Sequence, residues 1–112
     1  MRSINDAGLN MTSYQLMCWQ NIPAVVEARA EGKLHKQPLS SRFQELIDLL
    51  AMKQGLAGSD AYLDQWKKTA PEKRAGSPME VAKAVAAEIE ARFDQLRAEA
   101  LASSSRRQTP GE

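Results

Sequence analysis

The sequence is poor in the residues that most often carry out chemistry. It has one histidine and one cysteine in 112 residues, so nucleophilic catalysis by Ser or Cys, which usually needs a positioned histidine base, has only His35 to draw on. A lone cysteine excludes an internal disulfide, no Cys/His cluster has zinc spacing, and the reducing cytoplasm is the expected compartment. No apolar run reaches the roughly 20 residues of a membrane span, and no secretory leader is expected. The net charge is only +1, from 15 basic and 14 acidic residues, too little to drive binding to nucleic acid or an anionic membrane. No glycine-rich phosphate loop is present; Gly55 and Gly58 are read as helix ends. Aromatic residues make up 5% of the chain.

What is present is ordinary for one small globular domain. Hydrophobic residues are 43% and charged residues 26%, and a chain of this size can bury about two-thirds of its unfolded surface. Residues 1–12 are polar and aperiodic and read as a flexible leader, with Met11 as an alternative start to Met1. Residues 13–102 read as a single α+β domain. The serines, arginines, Pro110 and Gly111 of residues 103–112 read as a disordered tail.

Three strand patterns come first. Tyr14 to Trp19 sets Tyr14, Leu16 and Cys18 against Gln15, Met17 and Trp19, and both faces are partly apolar, so this strand is expected inside the sheet. Asn21-Ile22-Pro23 is expected to turn the chain. Ala24 to Ala30 alternates Val26 and Ala28 against Val25, Glu27 and Arg29, as a half-buried strand would. Gly32 predicts a turn, and Lys33 to Gln37 a short third strand with Pro38 at its end or on an edge.

From Ser41 the period becomes helical. Phe43, Leu46, Ile47, Leu50 and Ala51 make one apolar face, Ser41 with Gln44 suggests a capping box, and Gly55 with Leu56 a left-handed close. A second helix is predicted from Ser59, with Tyr62, Leu63 and Trp66 as its buried face and Pro71 beyond its end. Ser77-Pro78-Met79-Glu80 is a strong helix start. After it, Met79, Ala82, Ala86, Ile89, Phe93, Leu96 and Ala100 form a seam, with Glu88 and Arg92 pairing across one turn. The expected architecture is therefore an N-terminal antiparallel sheet of two or three strands followed by three helices packed on one face.

No catalytic, cofactor or metal site is expected. His35 reads as a surface residue, Cys18 as a buried thiol, and Asp60 with Asp64 as surface charges at helical spacing. Lys67, Lys68, Lys73 and Arg74 are the one basic concentration inside the domain: candidate anion contacts, or a solvated helix end. Trp19, Tyr62 and Trp66 are candidate interface anchors or core, because Trp and Tyr are enriched at binding hot spots. Leu49 and Met52 widen the apolar flank of the first helix and suggest a second buried surface, such as a dimer interface.

Lys33 to Lys68 also has the strand, helix, turn, helix order of a ribbon-helix-helix repressor. In that family apolar residues alternate toward the core up to the helix cap. Gln37 and His35 would fill those positions here, and Pro38 would remove a ribbon donor.

A second resemblance reaches further. Trp19, Ile22, Pro23, Ala24 and Val26; Leu39, Arg42 and Phe43; Ala51, Met52, Gly55 and Leu56; and Asp60 or Ser59 before Tyr62, Leu63 and Trp66 stand at the spacings of a small bacterial domain family known as virulence factor. The chain resembles this family over about residues 13–70, and departs from it at Gln20, Asn21 and Val25, where relatives commonly have Arg, Asp and Gln. The resemblance implies a cytoplasmic bacterial α+β domain. It also implies an accessory role beside a larger enzyme, in one-carbon or tetrapyrrole metabolism. In size the chain is similar to the small accessory subunit of the aerobic cyclase of bacteriochlorophyll synthesis. The expected function is a non-catalytic protein-binding subunit; the alternative is a DNA-binding repressor.

Overall fold

Strand β1 (Met11–Trp19) lies between two neighbours in the computed structural model, which describes residues 11–107. That is the position its two partly apolar faces call for. β2 (Ile22–Ala30) pairs with it antiparallel, and β3 (Lys33–Pro38) pairs with β2. After helices α1 (Ser41–Lys53) and α2 (Asp60–Asp64), the chain returns to the sheet. There β4 (Trp66–Lys68) and β5 (Glu72–Ala75) occupy successive stretches of the free side of β1. Helices α3 (Pro78–Ala91) and α4 (Phe93–Arg107) complete the fold. The architecture is α+β, as expected, but the antiparallel sheet has five strands, and four helices stand among the described residues.

Local chemistry accounts for most of the turns. Glu31 and Gly32 both have positive φ, at 52° and 80°, as a two-residue turn matched to strand twist requires. The first hairpin turns at Gln20 and Asn21, one residue earlier than expected, with Gln20 at φ 55°. Pro23 is then inside β2, opposite Cys18, where the register shifts. An irregularity tolerates a residue that cannot donate to the ladder. Pro38 ends the edge strand β3.

Val26 and Ala28 are fully buried on the face of β2 that the alternation assigns to the core. They form one cluster with Trp19, Phe43, Ile47 and Leu50, and with Val81 and Ala82 from α3, which packs on β1, β2 and β3. Glu27, on the opposite face of β2, is also buried, and it is paired: Lys68 Nζ stands 3.1 Å and Lys36 Nζ 4.0 Å from its carboxylate. A buried carboxylate without such partners would be strongly destabilising. The edge strands β4 and β5 and the link between them include Lys67, Lys68, Pro71 and Lys73, residue types that discourage edge-to-edge association.

Helix ends follow the expectations in part. Gly55, at φ 71°, donates to Met52 while Leu56 donates to Ala51, the two bonds of a Schellman close. Ser77 and Glu80 form the reciprocal capping box. The N-cap of α1, however, is Ser40 rather than Ser41, and Gln44 bonds Asp48. α2 ends at Asp64 instead of running toward Pro71, because Trp66 to Lys68 pair with β1; Leu63 is 63% exposed, not buried. The long third helix divides at Arg92. Its buried face is Val81, Ala82, Val85, Ala86 and Ile89, while Met79, expected in the seam, is 51% exposed. Glu88 pairs with Arg74 rather than with Arg92.

β1 begins at Met11, inside the expected leader, and α4 continues to Arg107, inside the expected tail. The remainder of both expected terminal segments lies outside the described residues.

Candidate functional site

Trp19 organises one end of the molecule from within. Its side chain is fully buried, its indole Nε1 donates to the Tyr62 carbonyl at 2.9 Å, and its ring stands 5.5 Å from that of Tyr62. Trp19 therefore belongs to the core and presents no surface to a partner. Tyr62 and Trp66 are half-buried and meet edge to face at 6.4 Å. Tyr62 also lines a shallow cleft of about 240 Å³ between α1 and α2, shared with Met52, Ala51, Ala57, Gly58 and Asp48. Leu49 lies one turn before Met52 on the same helical face. Leu49 is 38% exposed, Met52 68%, and Leu63, the residue after Tyr62, 63%. The structure thus brings Tyr62 and Met52 together and sets the Trp19 and Trp66 rings against Tyr62. Leu63, assigned to the buried face by its spacing, is surface.

The four basic residues do not form a patch. Lys68 is bound to Glu27 and Arg74 to Glu88 through a two-pronged ion pair. Lys67 is opposite Cys18 and Lys73 opposite Ser13, which the alternation of β1 places on opposite faces of the sheet. Lys33 to Lys68 likewise departs from the repressor motif: β3 pairs with β2 of the same chain, and the second helix has five residues.

A larger groove lies where the sheet meets the joint of α3 and α4. It has a volume of about 510 Å³. Leu16 and Cys18 are on its β1 side, with Pro23 of β2; Ile89, Arg92 and Leu96 are on its helical side. Gln20, Asn21 and Gln65 add amides and Lys67 an ammonium group at one end. Sequence reasoning missed this groove because its residues come from three separate stretches of chain. The one signal was Lys67, singled out as a candidate anion contact.

Cys18 and His35 are not brought together. His35 is opposite Ala28, which is opposite Tyr14, four residues along β1 from Cys18. His35 Nε2 has Gln37 Oε1 at 3.4 Å. Burial pushes the Cys18 thiol up to about 11, so it is protonated at neutral pH. Among the described residues no three His, Cys, Asp or Glu side chains converge as a metal site. Nor is any described helix long and apolar enough to cross a membrane.

Comparison with protein families matches residues 17–102 to the family described as virulence factor. The chain belongs to this family. The match takes in α3 and most of α4, beyond the stretch that carries the sequence resemblance. No curated protein and no solved structure matches the chain. In this virulence factor domain, most residues that carry the resemblance have structural duties. Trp19, Ile22, Val26, Leu39, Phe43 and Ala51 are core, Gly55 closes α1, and Arg42 binds Glu90 while its guanidinium stands 4.4 Å from the Phe93 ring centre. Met52 and Leu63 are different. Both are mostly exposed, and core packing does not account for them.

Proposed function

We propose that this virulence factor domain is a non-catalytic binding subunit that assists a larger bacterial enzyme. The observation that carries the reading is the apolar exposure on α1 and α2: Met52 is mostly exposed and shares a cleft with the half-buried Tyr62, and Leu49 and Leu63 are exposed on the same two helices. Such residues in contact with water have little effect on folding, but they supply the apolar centre of a protein–protein interface. Tyr62 adds a rigid amphipathic ring already held by Trp19 and Trp66. The enzyme partner is expected in one-carbon or tetrapyrrole metabolism, in the cytoplasm.

Affinity capture from the native host tests the reading. The wild-type chain is expected to retain one large enzyme at near-equal stoichiometry, and a Met52→Asp/Leu63→Asp variant of unchanged fold is expected to lose it. Equal capture by both proteins would overturn the assignment of this surface. Turnover of a small substrate by the purified chain alone would overturn the non-catalytic role. Salt-sensitive binding to duplex DNA would favour the repressor alternative.

A further inference from the structure

The groove between the sheet and the α3–α4 joint has a charge pattern unlike that of the whole chain. Acidic residues number 14 in the sequence, yet none lines the groove, while Lys67, Lys68 and Arg92 do. Lys68 is neutralised by Glu27 at 3.1 Å. Lys67 and Arg92 make no ion pair among the described residues, so two positive charges border this groove without an internal counter-charge.

The rest of the lining suits an apolar body. Leu16 and Cys18 are two residues apart on one face of β1, and the register sets Lys67 directly across from Cys18. Ile89, Arg92 and Leu96 recur at helical spacing across the joint, so an apolar strip on the helical side also has a cation within it. Gln20 and Gln65, already hydrogen-bonded to one another, stiffen the end of the groove near the first hairpin. Its volume, about 510 Å³, lies within the roughly 300–1,000 Å³ of small-molecule sites.

The geometry points to this groove as a binding site for a small anionic amphiphile: a carboxylate or phosphate monoester head held by Lys67 and Arg92, on an apolar chain or ring lying against Leu16, Cys18, Ile89 and Leu96. The site is separate from the α1–α2 surface, so the inference does not depend on the partner-binding reading. Loss of one leaves the other standing.

Titration of the isotope-labelled full chain with octanoate, octyl phosphate and 1-octanol, followed by amide NMR shifts, tests it. At least one of the two anions is expected to bind saturably, with the largest shifts at residues 16–23, 65–69 and 89–96. It should bind about tenfold more tightly than 1-octanol. The ratio between octanoate and octyl phosphate identifies the head group. Lys67→Glu and Arg92→Glu alter exposed, unpaired side chains and should leave the unliganded spectrum folded. Each should weaken the anion about tenfold or more while leaving 1-octanol unchanged. Equal binding of 1-octanol and the anions would overturn the inference. So would shifts centred on Met52 and Tyr62, no saturable binding, or anion affinity untouched by both reversals.

Discussion

Glu90, the penultimate residue of α3, accepts hydrogen bonds from both the backbone amide and the hydroxyl of Ser40, the N-cap residue of α1 fifty positions earlier. Oε1, which takes the Ser40 hydroxyl, also accepts from Arg42 at 3.0 Å. A carboxylate from a distant helix thus occupies the N-terminus of α1, where the Ser40 side chain makes no cap of its own and where negative charge is favoured. Glu90→Ala should cost about 1–2 kcal/mol, and Glu90→Gln less; urea unfolding at pH 7 measures both.

The same contact predicts a pH dependence. Partial burial opposes ionisation of Glu90, but the Ser40 amide and hydroxyl and the Arg42 guanidinium outweigh it, and the carboxyl is held below its ordinary value of 4.5. A depressed folded-state value contributes stability that is present above pH 4.5 and lost as pH falls through that lower value. The gap in unfolding midpoint between wild type and Glu90→Gln should therefore be full at pH 7 and narrow progressively below about pH 4.5. A gap unchanged at pH 3 would contradict the contact.

Trp19 predicts a second stability effect. Its indole is fully buried and its Nε1 is hydrogen-bonded to the Tyr62 carbonyl. Trp19→Phe removes volume and the closer of two donors to that carbonyl, which keeps the Gln65 amide at 3.2 Å, at a cost of about 2–3 kcal/mol. Trp66→Phe, at a half-buried site, should cost less than half of that. Trp66→Phe protein should also emit at shorter wavelength, and resist acrylamide quenching better, than Trp19→Phe protein, because only Trp19 is shielded from water.

These contacts show where sequence reasoning holds and where it stops. The strand alternation of Val26 and Ala28, the Gly55 close and the Ser77–Glu80 box depend on neighbours within a few residues, and all three are legible. The cap on α1 is not, because Glu90 reaches Ser40 across fifty positions and only the packing of α3 brings it there. Trp66 fits a helical face by spacing, but pairing with Trp19 draws it into a strand instead. β4 and β5 escape notice for a related reason: as edge strands rich in lysine they lack the apolar alternation that marks a strand. The groove at the α3–α4 joint depends on the break at Arg92, for which no proline or glycine gives warning.

The exposed surface makes a prediction of the opposite sign. Met52 and Leu63 are mostly in contact with water, so Met52→Asp and Leu63→Asp should each change unfolding free energy by no more than about 0.5 kcal/mol. Loss of partner capture at unchanged stability would mark these side chains as contact residues. A large fall in stability would mean that they pack against the fold in solution.

Cys18 completes the set. It lines the groove, and burial pushes its thiol up to about 11. Only the thiolate attacks an alkylating reagent. Iodoacetamide should therefore modify the folded chain far more slowly than free cysteine at pH 7.5, with a rate that climbs about tenfold per pH unit toward pH 11. Unfolding in urea should restore the rate of an ordinary thiol. Octanoate or octyl phosphate should slow the reaction of the folded chain further, because the apolar body would lie over the sulfur. Protection by the anion, but not by 1-octanol at the same concentration, would link the thiol's shielding to the charges of Lys67 and Arg92.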